Sequence, residues 1–233
     1  MRALARVSAA VLLLAACGGS ATSSRTCALP APVSGRATTY AGTSAGACMF
    51  PAGLALYAAV GPATFDGSAA CGACLEVTGP AATVTLEVTD LCPECPAGAL
   101  DLSPGAWDAA TGGAPAGVAP VTWRLVPCPG AGPVRFVAGA GVNPWYASVV
   151  VQDHRYPIAS VELLPSGAAG WLPLARDGAN QWIGTAGGAG FATPLRFRAT
   201  DVFGSTTSTD VPMTALAPGA EATAPQLGDA CGR

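Results

Sequence analysis

The chain has 233 residues, of which only 11% are charged, with no lysine and a net charge of −3. That composition provides no polybasic face, which argues against nucleic acid and against electrostatic attachment to anionic lipid. Thirty glycines and twenty-one prolines argue against long helices and for short strands joined by turns.

At the N-terminus Arg2 and Arg6 precede an apolar run from Val7 to Ala16. A basic start followed by a short apolar stretch is an export signal, too short to span a membrane. It closes as Leu14-Ala15-Ala16-Cys17, followed by Gly18-Gly19-Ser20. Small residues before a cysteine resemble the cleavage box of bacterial lipoproteins. Residues 1–17 are therefore expected to be a lipoprotein signal ending at a lipidated Cys17, and residues 18–33 a tether. The alternative is an ordinary signal peptide in which Cys17 falls by chance. Cysteine counting favours lipidation. The chain has nine cysteines, and an odd number in an exported protein leaves one thiol over. Removing Cys17 leaves Cys27, Cys48, Cys71, Cys74, Cys92, Cys95, Cys128 and Cys231, which can all pair in an oxidising compartment. The pairs Cys71-Gly72-Ala73-Cys74 and Cys92-Pro93-Glu94-Cys95, seventeen residues apart, also fit a four-thiolate zinc site. Export argues against that reading, and neither a metal nor another cofactor is expected.

Further along, Thr83–Asp90 alternates cleanly, with Val84, Leu86 and Val88 on one face, and predicts a strand. Val121–Val126 repeats the pattern and stops at Pro127. Val134–Ala138, Ala147–Gln152, Ser160–Leu164 and Leu195–Thr200 read as strands at sandwich-like spacing. One helix is predicted, with Ser103 as N-cap, Pro104 at the first helical position, Ala106–Ala110 following, and Gly112-Gly113 ending it. The Pro/Gly-rich stretch from Pro127 to Pro133 marks a boundary between two strand-rich halves. The cysteines from Cys48 to Cys128 all lie before it or at its start, which suggests independently stapled units: a first held by disulfides and a second held by its core. Residues 216–233 read as a loose tail, pinned only if Cys231 pairs with a distant partner such as Cys27.

The densest polar constellation runs from Thr89-Asp90 through Glu94 to Asp101-Leu102-Ser103. Asp90 ends a strand and Asp101 precedes the helix cap. A carboxylate so placed can act as a general acid at a glycosidic bond if partial burial raises its pKa, or can cap a turn and bond to backbone. The single histidine, His154, gives little support to triad or multi-histidine metal chemistry, and reads as a structural hydrogen-bonder.

Gly35-Arg36-Ala37-Thr38-Thr39-Tyr40, Cys71-Gly72-Ala73-Cys74, Val88-Thr89-Asp90 and Leu100-Asp101-Leu102-Ser103 resemble the first domain of expansins, a six-stranded double-psi β-barrel. The run from Asn143-Pro144-Trp145-Tyr146 to Asp153-His154-Arg155-Tyr156-Pro157 is similar to the immunoglobulin-like second domain of bacterial expansins. The resemblance implies an all-β chain, with the double-psi barrel over residues 34–128 and an immunoglobulin-like β-sandwich over 133–215. It implies non-hydrolytic binding and loosening of wall polysaccharide, with cellulose, matrix glucan or peptidoglycan as the polymeric partner. The membrane would be touched through the lipid alone, by a surface-held monomer. The family's essential barrel aspartate corresponds to Asp101 and its partner acidic position to Asp90. The groove threonine corresponds to Thr38, or to Thr39 if the alignment slips by one, and Tyr40 and Glu94 fall at further groove positions. Where some bacterial members carry an aromatic, this chain has Cys92.

An inverting glycosidase needs a base as well as an acid. Thr38–Gly46 contains no Asp or Glu, and Asp66 is the nearest spare carboxylate in sequence. Hydrolysis is therefore disfavoured. In the second domain Trp145 and Tyr146 correspond to surface aromatics that stack on sugar rings, with an exposed turn at Asn143-Pro144. The third aromatic of that row aligns near Ala179. Trp182 is expected in the core, and Trp107, Trp123 and Trp171 read as packing residues. The resemblance to plant expansins suggests Cys48–Cys71 and Cys74–Cys128, leaving Cys92–Cys95 as a short staple and Cys27–Cys231 as a terminal clasp. The alternatives are a peptidoglycan lytic transglycosylase of the rare lipoprotein A type, and a weak barrel-type endoglucanase.

Overall fold

The structure, a computed structural model, describes residues 29–209 and 212–229. The signal segment, most of the tether, the lipidation of Cys17 and a Cys27–Cys231 pairing lie outside the described residues.

The first half comprises β1 (Val33–Thr39), β2 (Tyr57–Val60), α1 (Pro62–Phe65), β3 (Cys74–Thr78), β4 (Thr83–Leu91), β5 (Leu100–Leu102), α2 (Pro104–Thr111) and β6 (Ala119–Val126). The six strands close into a barrel in the order β1-β5-β2-β4-β3-β6. Two of the pairings, β1 with β5 and β2 with β4, are parallel, so distant segments interlock rather than forming a simple meander. The alternation of β4 has its physical consequence here. Val84, Leu86 and Val88 point inward and are nearly or fully buried, together with Val77, Leu100, Leu102, Val121 and Trp123. Helix α2 forms as the caps direct. Ser103 Oγ accepts from Ala106 N–H at 3.2 Å, and Gly112 closes the helix in the left-handed region at φ 74°.

The second half comprises β7 (Val134–Ala138), β8 (Tyr146–Gln152), β9 (Ile158–Leu164), β10 (Leu172–Pro173), β11 (Ala175–Arg176), β12 (Trp182–Thr185), β13 (Arg196–Asp201), β14 (Thr206–Ser208) and β15 (Glu221–Ala224). They make a four-stranded sheet, β10-β9-β13-β14, and a five-stranded sheet, β11-β12-β8-β7-β15. Residues of both sheets share one core, in which Phe136 of β7 stacks on Phe197 of β13 at 5.4 Å. Trp182 is buried, as expected.

One expectation is corrected. The loose tail contains a strand: β15 pairs antiparallel with β7, and Ala222, Ala224 and Leu227 are buried in the sandwich core. Its alanine-rich sequence carries no alternating bulky residues, so nothing announced it. Trp171 packs at the surface of the sandwich: it is half-buried, and the Arg198 guanidinium stacks on its ring at 4.5 Å. The two halves also pack against each other. Along β8, Ala147, Val149 and Val151 face the sandwich core, whereas Val150 belongs to the hydrophobic cluster of the barrel. The seam also carries Ser68 Oγ donating to Asp177 O at 2.7 Å and Cys128 N–H donating to Arg155 O at 2.9 Å.

Disulfides join Cys48 to Cys71, Cys74 to Cys128 and Cys92 to Cys95. The thiols of both CxxC pairs are thereby consumed, and the four-thiolate zinc arrangement is not formed.

Candidate functional site

Strand register builds the site. Thr38 of β1 lies opposite Asp101 of β5, Asp101 opposite Ala59 of β2, and Ala59 opposite Asp90 of β4. Residues from four distant segments thus form one row across the barrel wall, Thr38–Asp101–Ala59–Asp90. Neighbouring strands lie about 4.8 Å apart, which puts the Asp101 and Asp90 backbones roughly 10 Å apart, with only the small Ala59 between them. A register shift between Ala58 and Ala59 places Asp90 on this row, and bulges of this kind re-aim side chains at sites.

The two carboxylates are held differently. Asp101 Oδ1 accepts the Thr38 hydroxyl at 2.6 Å, and its other oxygen has no hydrogen-bond partner among the described residues. Asp90 accepts Ala47 N–H at 2.7 Å and Leu91 N–H at 2.9 Å on Oδ1, and the Tyr40 hydroxyl at 3.4 Å on Oδ2. Tyr40 is held well above the ordinary phenol range, first by burial and then by the Asp90 carboxylate, so it stays protonated and can only donate to that carboxylate. Its ring meets Tyr57 edge-on at 6.0 Å, and Tyr57 donates to Gly42 O at 2.6 Å. Thr39 donates instead to the Leu102 carbonyl at 3.0 Å. Thr38 is therefore the threonine whose hydroxyl faces a carboxylate.

Thr38 and Asp101 line a cleft of about 230 Å³ with Arg36, Cys92, Glu94 and Pro96. Glu94 is exposed on its rim. At Cys92, where an aromatic would offer a stacking face, the Cys92–Cys95 bridge stands. Asp66 is not brought to this cleft. It ends α1 in a left-handed conformation, lines a different apolar cleft with Ala70, Trp123 and Phe203, and acts electrostatically on Arg176 of the sandwich. Among the described residues no group of three or more His, Cys, Asp or Glu is placed to hold a metal.

In the second half Trp145 is 51% exposed, with its indole N–H bound to Gly188 O at 2.9 Å. That bond and the Trp145 N–H to Asn143 Oδ1 bond at 2.9 Å hold the ring as a fixed exposed face. Tyr146 begins β8 and is half-buried. Ala179, near the expected third aromatic, presents no ring. His154 is buried against Gly72, and the Tyr156 backbone acts on its ring as a hydrogen-bond partner. Burial pushes its pKa down to about 4, so it is neutral above that pH.

Two contributors escaped sequence reading. Ala47 serves through its backbone N–H, which no side-chain motif can report. Gly46 packs directly on the Asp90 side chain, where a Cβ would collide with the carboxyl carbon. A glycine beside an alanine in a small-residue loop carries no distinguishing signal.

No family model matches the chain. Among curated proteins it is similar to Expansin-YoaJ of Bacillus subtilis (strain 168), 34% identical over 145 residues, covering 62% of this chain and 60% of that one. It is also similar to Expansin-B11 of Oryza sativa subsp. japonica, 31% identical over 171 residues, covering 60% of this chain and 56% of that one. The match thus spans less than two thirds of these relatives' length. Among solved structures it is similar to the apo expansin of Clavibacter michiganensis, 32% identical with a TM-score of 0.73, covering 83% of this chain and 96% of that chain. A mutant of that expansin in complex with cellohexaose matches with 31% identity, a TM-score of 0.71 and the same coverage.

Proposed function

The chain belongs to the expansin family, and from that premise we propose that it binds wall glucan and loosens it without hydrolysis, held at the cell surface by lipid on Cys17. In this reading the barrel is the double-psi domain and the sandwich the immunoglobulin-like one. The protein is exported and acts as a monomer. The row Thr38–Asp101–Ala59–Asp90 is the observation that carries the reading. It offers one acid with an open oxygen and a second carboxylate whose oxygens already accept backbone and phenol donors. Three donors already reach Asp90, which weakens it as a base for activating water. Such a groove can hold ring hydroxyls and compete for hydrogen bonds between glucan chains, while the Asp90 carboxylate of the row is already engaged by three donors. The complex of a similar expansin with cellohexaose supports a β-glucan as the polymer. Trp145 and Tyr146 supply the flat surface, and the lack of an aromatic at Ala179 makes that platform short.

The test is incubation of the chain with cellulose and with peptidoglycan, followed by sedimentation, mass analysis of soluble products and extension of cellulosic strips under load. The expected result is co-sedimentation with cellulose and faster extension, with no soluble sugar. Trp145→Ala should weaken sedimentation about tenfold, the loss of roughly 1.4 kcal/mol of stacking. Asp101→Asn should abolish the extension while leaving sedimentation in place. Cello-oligosaccharides would replace this reading with an endoglucanase, and anhydromuropeptides with a lytic transglycosylase of the rare lipoprotein A type.

A further inference from the structure

We propose that Asn180, in the sandwich, is a positioning residue for the barrel groove: it clamps the turn that holds the Asp90 carboxylate. The proposal rests on the reading of Asp90 as a groove residue.

The turn in question spans Gly46 to Met49 and closes through Met49 N–H to Gly46 O at 3.0 Å. Within it, Ala47 N–H donates to Asp90 Oδ1 at 2.7 Å and Cys48 N–H to Thr89 O at 3.0 Å. Met49 stands at φ 56°, a left-handed conformation that costs a non-glycine residue about 1–2 kcal/mol. Such a turn needs outside support, because rotation of the Cys48–Met49 peptide would relieve Met49 and release the segment before it. The Cys48 side chain is tied to Cys71, but that bond leaves the Cys48 carbonyl unfixed. Its carbonyl accepts the Asn180 side-chain amide, Nδ2 to O at 3.2 Å, in a buried contact across 132 residues of sequence.

Asn180 is itself rigidly presented. It is 6% exposed and adopts φ 61°, which asparagine tolerates better than most residues. Its loop is organised by Asp177, whose Oδ1 accepts from Ala179 N–H at 2.9 Å and Gln181 N–H at 2.8 Å. Ser68 of the barrel pins the same loop through the Asp177 carbonyl at 2.7 Å. A continuous set of contacts therefore runs from sandwich loop to Asn180, Cys48, Ala47 and the Asp90 carboxylate. The orientation of Asp90 depends on the sandwich being docked, although no sandwich residue touches it in this set.

The test is amide hydrogen exchange of the full chain, read at Ala47, with Asn180→Asp and Asn180→Gly. Both variants accept positive φ and remove the donor, and the glycine variant avoids placing a new charge in the seam. The expected result is at least tenfold faster exchange at Ala47 in both, with amides of β6 and β13 unchanged and a parallel loss of strip extension. Unchanged Ala47 protection in the folded glycine variant would overturn the proposal. So would acceleration spread evenly over β6 and β13, since that is a general loss of stability. Faster Ala47 exchange with full strip extension would uphold the clamp and instead remove Asp90 from the working groove.

Discussion

Asp101 and Asp90 share one row of the barrel wall, yet a hydroxyl holds the first and two backbone N–H groups with a phenol hold the second. Side-chain chemistry alone is the same at both positions; the neighbours supplied by β1 and by the 46–49 turn make their surroundings different. Glu87 shows the same dependence in another place. It lines the cleft at the seam, where burial first, and Asp153 second, push its pKa up to about 7. A carboxyl whose folded pKa exceeds its unfolded value of 4.5 favours folding in its protonated form. That stability is complete below the unfolded pKa and is lost as pH rises from about 4.5 to about 7. His154 runs the other way. With a folded pKa near 4 against 6.5 unfolded, its burial costs stability at low pH and that cost disappears as pH rises from about 4 to about 6.5. The two effects oppose each other in the wild-type chain, so a substitution is needed to separate them. Glu87→Gln is expected to match the wild type at pH 4.5 and to exceed it at pH 8 by on the order of 2 kcal/mol. Denaturant titrations at a series of pH values measure this, and equal stability at pH 8 would contradict the assignment.

Among the elements, α2 is the most legible from sequence because local groups build it. Ser103 caps it, Pro104 starts it and Gly112 ends it, each within one turn of its partner. Tertiary structure adds that Ser103 also donates to Ala55 O at 2.9 Å and accepts from Tyr57 N–H at 3.2 Å, so the cap ties the helix to β2. Strands with a wet face, such as β4, were legible by alternation. β2 was not, because its four residues are all buried and leave no period to read. β15 was missed for another reason: an alanine-rich edge strand acquires its identity only from pairing with β7. Beyond the strand, Leu227 anchors the C-terminal segment in the sandwich core and is 1% exposed. Leu227→Ala should cost about 2–4 kcal/mol, measurable as a lower unfolding midpoint. A change within 0.5 kcal/mol would restore the segment to the status of a tail.

At the scale of the molecule, the outward row of β8 is the decisive feature. Ser148, Val150 and Gln152 are all buried, and Val150 lies in the barrel's hydrophobic cluster. Docking therefore makes one body of two cores and brings Asn180 to Cys48. Val150→Asp places an unpaired charge in that contact, at a cost of several kcal/mol. The expected outcome is retained secondary structure, a larger radius of gyration by small-angle scattering, and separate unfolding of the two halves. Retention of one sharp transition and the wild-type radius would show that the seam is held by other contacts.

The sequence by itself determined what is local: the alternating strands, the capped helix, the odd cysteine count and the aspartates at Asp90 and Asp101. It also carried the family motifs, because those residues keep fixed spacing within short segments. Tertiary structure alone decided the row that sets Thr38 beside Asp101, which of the Thr38 and Thr39 hydroxyls faces a carboxylate, the strand in the C-terminal segment and the docking of the sandwich. These depend on register between strands far apart in the chain, and on backbone donors such as Ala47 N–H. A one-dimensional pattern records neither.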